Sequence, residues 1–172
     1  MVSANKEMAV YCFDTLVAHY NSDQIPPPSF DEGDHALRDR RFPPIQAKEL
    51  PQLECTVSIL TEYETAADHL DWEVGKHGII IEFTDPDYNT RRSATYLPEV
   101  AAHEGWTKLE AIDSLMRKAG YNGVITDSVR QRIRMTRYQS TAFTMHYGEY
   151  IAYVKNTRGA VPTINGLKPG TY

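Results

Sequence analysis

Fold class turns on His77-Gly78-Ile79-Ile80-Ile81-Glu82-Phe83-Thr84-Asp85-Pro86-Asp87-Tyr88-Asn89-Thr90-Arg91-Arg92-Ser93-Ala94-Thr95-Tyr96-Leu97. From His77 to Thr84, Ile79, Ile81 and Phe83 fall on one face of a period-two strand, and the Ile79-Ile80-Ile81 run marks a covered position. Asp85 to Asn89 is turn chemistry. Arg92 to Leu97 then returns as a strand, so the stretch reads as an antiparallel hairpin.

Working outward, Lys108 to Ala119 reads as a helix. Thr107 and Glu110 have capping-box spacing; Ile112, Leu115, Met116 and Ala119 make the inner stripe, and Asp113 faces Arg117. Gly120 stands where a left-handed residue ends a helix, with Tyr121 packing back on Met116. Leu53 to Leu60 is a further strand, with Leu53, Cys55, Val57 and Ile59 inward and Glu54, Thr56 and Ser58 outward. Ile133 to Tyr138 reads as a late strand, followed by a helix from Tyr147 to Lys155. Ala66 to Trp72 reads as a short helix.

At the start of the chain, Ser3 to Tyr20 reads as a helix with Ala9, Cys12, Phe13, Leu16, Val17 and Tyr20 on its stripe. Ile25 to Ser29 is proline-rich and extended, Phe30 to Asp34 is loop-like, and Ala36 to Arg41 resembles a helix end. These elements predict an α+β fold: an antiparallel sheet packed with helices, plus a smaller subdomain. The expected organisation is one domain over residues 1–156 and a flexible C-terminal tail over 157–172.

Composition narrows the class. The 172 residues are 41% hydrophobic and 24% charged with a net charge of −5, which excludes wholesale disorder and a disulfide scaffold. No apolar run reaches the roughly 20 residues of a membrane helix. Two cysteines without an export signal predict reduced thiols inside the cell, in the nucleus or cytoplasm. Net acidity argues against nucleic acid as a partner.

Chemistry-bearing patterns are sparse. Neither a phosphate-cradling glycine loop nor a nucleophile elbow is present. Glu99 with His103, and the run His69, Asp71, Glu73 and His77, carry metal-ligand residue types but no zinc spacing, so no metal or cofactor is expected. Arg38, Arg40 and Arg41 form one basic group; Arg130, Arg132, Arg134 and Arg137 form another, read as a solvated sheet face paired with acids. Cys12 and Cys55 lie on apolar faces, where an unpaired thiol behaves as a small inert hydrophobe.

Several ordered segments carry a family resemblance. They include Leu37-Arg38-Asp39-Arg40-Arg41-Phe42-Pro43-Pro44-Ile45, Cys55-Thr56-Val57-Ser58-Ile59-Leu60-Thr61, Leu70-Asp71-Trp72-Glu73-Val74-Gly75, Ala94-Thr95-Tyr96-Leu97-Pro98-Glu99 and Arg117-Lys118-Ala119-Gly120-Tyr121. From about Ala36 to Glu149 the chain resembles the AMMECR domain family, closest to its animal branch. The resemblance implies an intracellular α+β protein of unestablished activity, regulatory or scaffold-like and not autonomously catalytic in this form, with an unidentified protein partner. The alternative it implies is an enzyme or enzyme partner in small-molecule or RNA modification, linked to Memo-type and radical-SAM proteins. The family's Arg-Leu-Arg-Gly-Cys-Ile-Gly segment is missing where His35 meets Ala36, which reads as a splice variant or truncated form. Asp39 and Arg41, beside that junction, are the ligand-binding candidates; no catalytic residue is assigned.

Overall fold

The computed structural model describes residues 2–24, 27–28 and 42–167. The chain divides into two compact units, one built on residues 59–141 and the other on residues 3–58 and 142–172. A four-stranded antiparallel sheet has the order β1-β4-β2-β3, with β1 Glu54–Thr65, β2 Gly78–Thr84, β3 Arg91–Tyr96 and β4 Arg134–His146. The fold is therefore α+β, as the pattern predicts. Strands β1 and β4 each supply residues to both units.

In the unit of residues 59–141, the β2–β3 hairpin pairs Ile79 with Tyr96 and Ile81 with Ala94. Its turn is organised by Asp85, whose carboxylate accepts the backbone N–H groups of Asp87 (2.9 Å) and Tyr88 (3.3 Å) and the Nε–H of Arg92 (2.7 Å). Helix α2, Pro98–Glu104, follows β3, and α3, Lys108–Lys118, carries the expected reciprocal cap between Thr107 and Glu110. A one-turn helix α4, Asp127–Arg130, precedes β4. Trp72, Ile79, Ile81, Ile112, Leu115, Met116 and Met135 form the core here. Tyr121 packs into it, and Gly120 has φ +90°, as the helix-stop reading requires.

The second unit gathers α1 (Lys6–Asn21), a 3₁₀ turn at Ala47–Gln52 and α5 (Tyr147–Arg158) around Phe13, Leu50, Tyr147, Tyr150 and Val154. Asn5 caps α1 by accepting the Met8 N–H at 3.1 Å. Phe13 stacks on Tyr150 with ring centroids 5.0 Å apart and meets Tyr147 edge-on.

Four elements differ from the expectation. Ala66 to Trp72 forms bends, because Asp68 and Asp71 carboxylates capture the Leu70 and Ala67 amides and divert them from a helical ladder. Strand β4 runs eight residues past Tyr138, carried by alternation at Phe143 and Met145. Asp113 pairs with Arg130 on α4, and Arg117 instead donates to the Tyr121 and Gly123 carbonyls. The segment from Thr157 begins inside α5, and Ile164 is buried in the second core.

Strand β1 contains one residue in the left-handed region, Glu62 at φ +55°. The readings over Ile25, Pro26, Ser29, Phe30 to Asp34, Ala36 to Arg41 and residues 168–172 lie outside the described residues. So do the junction of His35 with Ala36 and the candidates Asp39 and Arg41. No helix among the described residues is long and apolar enough to cross a membrane.

Candidate functional site

Helix α1 and strand β1 each bring one cysteine, Cys12 and Cys55, to a pocket of the second unit. Together they line this one pocket of about 270 Å³. The other lining residues are Phe13, Leu16, Ile45, Leu53, Glu54 and Thr56. Phe13 and Leu53 supply apolar surface because α1 turns Phe13 fully inward and β1 follows Leu53 at period two. Across the strands, Thr56 and Thr144 hydroxyls hydrogen-bond at 2.8 Å, and the Tyr147 N–H donates to the Leu53 carbonyl at 3.0 Å. The Tyr20 hydroxyl donates to the Ile45 carbonyl, tying the end of α1 to the pocket's third segment.

One expectation needs correction here. Cys12 is exposed, not inward. The buried face of α1 is centred on Met8, Ala9, Val10, Phe13 and Ala18, so its direction is rotated toward Val10 and leaves Cys12 at the margin. Cys55 is half-buried beside Leu53 and Val57.

The two thiols differ. The neighbouring Cys55 thiol lowers the Cys12 thiol from 9.0 to about 7 against the upward push of burial. The Cys12 side chain, burial and a charge on Cys12 push Cys55 up. A thiolate at Cys12 is the nucleophilic form, and its exposure leaves it reachable.

The remaining candidates are drawn into the fold. Among the run of ligand-type residues, His77 Nδ1 accepts the Glu73 N–H at 2.9 Å and Asp71 accepts Arg137 Nη1 at 2.8 Å. No group of three or more His, Cys, Asp or Glu among the described residues is placed to hold a metal ion. Arg130 grips Asp113 through two 2.8 Å bonds and Asp127 through a third; Arg137 holds Glu64 and Asp71. Arg132 and Arg134 instead line a shallow pocket with Glu82, Thr84 and Arg91.

The thiol pair was legible only in part. Each cysteine sits on an element whose apolar face was readable, and two such faces must meet in a core. Which pair of elements meets depends on contacts between Phe13, Leu50 and α5 that no local pattern encodes.

Fold and site together define an α+β protein with a paired-thiol pocket beside its second core. The AMMECR1 family model matches residues 34–143, and the chain belongs to that family. An uncharacterised protein of Arabidopsis thaliana is 62% identical over an alignment of 208 residues, covering 97% of each chain. An uncharacterised protein of Schizosaccharomyces pombe is 45% identical, over 67% of this chain and 58% of its own length. The crystal structure of an uncharacterised Pyrococcus horikoshii protein is 26% identical with a TM-score of 0.50, covering 63% of this chain and 52% of that one. These relatives are plant, fungal and archaeal. Cys12 lies outside the span matched by the family model, and Cys55 lies inside it.

Proposed function

We propose that the chain is a regulatory or scaffold-type AMMECR1 protein of the nucleus or cytoplasm that works by holding a protein partner, without autonomous catalysis in this form. One observation carries the reading: the buried acid and base groups, and two arginines beside them, are engaged in holding the fold. His77 and Asp85 are buried against backbone N–H groups, and Arg130 and Arg137 grip acids of their own unit. General acid–base chemistry needs a group within reach of substrate, and these groups face the protein. Exposed on the same unit are the large apolar side chains Leu70, Val74, Leu97 and Leu109, surface that a partner would take out of water.

The missing hallmark segment supports the same reading. The alignment with the Arabidopsis relative is 208 residues long against a chain of 172, so at least 36 of its positions have no counterpart here. We assign that gap to the junction of His35 with Ala36, where a splice variant or truncated form would produce it. Asp39 and Arg41 lie beside the junction and are the positions proposed to touch a ligand.

The test has two arms. A photo-crosslinking residue at position 109 yields a discrete protein adduct that Leu70→Asp abolishes. The purified chain, incubated with a cellular small-molecule extract, changes no component with time. A metabolite consumed in catalytic excess over the protein would reverse the reading in favour of an enzyme. The enzyme alternative draws on one observation, the exposed Cys12 thiol opening into its pocket, and Cys12→Ser is the variant that would abolish such turnover.

A further inference from the structure

We propose that Cys12 and Cys55 form a dithiol that hydroperoxide converts reversibly to a disulfide, with Cys12 as the attacking sulfur and Cys55 as the resolving one. This stands independently of the partner-binding reading.

Three observations point to it. First, two thiols 43 positions apart in the chain line the same pocket, on elements held by a common core. A lone buried cysteine is inert filler, whereas adjacent sulfurs need only a short approach to bond. Second, the pair is asymmetric in the sense that two-cysteine redox sites require. Cys12 is exposed and reachable; Cys55 is half-buried, backed by Leu53 and Val57. An accessible thiolate beside a second thiol is the arrangement that forms a sulfenic acid and then resolves it. Third, the pocket of about 270 Å³ opens beside both sulfurs, with room for a small hydroperoxide.

Exposure assigns the roles: Cys12 faces solvent and Cys55 is half-buried. The Cys55 thiol in the same pocket supports a Cys12 thiolate and remains in place to deliver the second step.

The chemistry balances in two steps. The Cys12 thiolate attacks one oxygen of the hydroperoxide, the O–O bond breaks, and the departing oxygen takes a proton to leave as water or an alcohol. Cys12 is now a sulfenic acid, oxidised by two electrons. The Cys55 sulfur attacks the Cys12 sulfur and loses its proton, the S–O bond breaks, and a second water departs. A dithiol reductant reverses the bond by exchange. Such transient disulfides are the kind found inside cells.

The experiment uses the full 172-residue chain, reduced and then exposed to hydrogen peroxide. Peptide mapping without reductant should show a linked pair containing Cys12 and Cys55, lighter by two hydrogens and restored by dithiothreitol. Cys55→Ser should stop at a sulfenic acid on Cys12 that dimedone traps. Cys12→Ser should leave Cys55 oxidising about tenfold more slowly than Cys12 does in the natural chain. Intermolecular dimers without an internal link, or a native chain whose two thiols over-oxidise without bonding, would overturn the proposal. So would a folded Cys12→Ser chain that reacts as fast as the original. The linked-peptide readout on the unsubstituted chain decides the matter even if a variant fails to fold.

Discussion

Gly78 lies opposite Tyr138 in the β2–β4 register, and a Cβ built on Gly78 would fall 2.2 Å from a ring carbon of that tyrosine. The ring is pinned: its hydroxyl donates to the Tyr96 carbonyl at 2.9 Å, and its face stacks on Tyr63. Gly78→Ala should therefore cost at least about 1–3 kcal/mol of stability through overpacking. On a Tyr138→Leu background the same substitution should cost much less, because the clash and the pinning are both gone. Equal costs in the two backgrounds, measured by denaturant unfolding, would contradict this account.

Acid should unfold the unit of residues 59–141 in two windows. Burial, helped by the Arg137 and Lys76 charges, holds His77 below its ordinary 6.5, and its Nδ1 must stay unprotonated to accept the Glu73 N–H. The unfolded chain binds that proton more readily, so stability is full above pH 6.5 and declines as pH falls below it. Burial raises the Asp85 carboxyl, but Arg92 and the two turn amides outweigh it and hold the group below 3.8. Its contribution is present above 3.8 and is lost as pH falls through the lowered value. Melting temperature against pH should show both declines. His77→Gln should remove the upper one, and its persistence would assign that decline to another group.

Asp14 is the anchor of the second unit's polar edge. It accepts Tyr150 Oη–H at 2.8 Å and a two-pronged Arg158 grip, both at 2.8 Å. Burial and donation to Asp14 push the Tyr150 phenol up. Asp14→Ala should cost about 1–3 kcal/mol, because it strands a buried hydroxyl. Arg158→Ala, removing a half-exposed partner, should cost about 1 kcal/mol or less. Ultraviolet titration should find Tyr150 ionising late together with Tyr20, Tyr121 and Tyr138, which are also raised, and Asp14→Ala should bring one of these late tyrosines back toward the rest.

The arginines around β4 should contribute to stability and not to nucleic-acid binding. Arg130 and Arg137 are held by acids, so phosphate contacts would have to break those bonds. Any binding to RNA or DNA should be weak and vanish near physiological salt. Salt-resistant, sequence-selective binding in a filter or anisotropy assay would show that Arg132 and Arg134 act as a reading surface.

Local chemistry wrote the hairpin and α3 plainly. Gly78 to Thr84, the Asp85 turn and the Thr107–Glu110 cap are each encoded within a few residues, so period and spacing recovered them. What escaped depends on distant partners. Asp113 had a good neighbour four positions on in Arg117, yet Arg130, seventeen positions away, offered two parallel bonds and won. Cys12 left its expected stripe because α5 and the 3₁₀ turn bury the Val10 side of α1. The thiol pair is a product of that same distant packing. Asp39 and Arg41, proposed from resemblance, gain no geometry.

The left-handed Glu62 constrains how this gene can change length. Before it, the half-buried residues of β1 are odd-numbered: Cys55, Val57, Ile59 and Thr61. After it, the next buried residue is the even-numbered Ala66, which serves the other core. One out-of-register residue thus resets the count between two cores threaded by one strand, as a β-bulge does. Deleting a single codon between Ser58 and Glu62 would turn Glu54, Thr56 and Ser58 inward, while most surface loops absorb such a loss. Indels in β1 should therefore be tolerated only in compensating pairs.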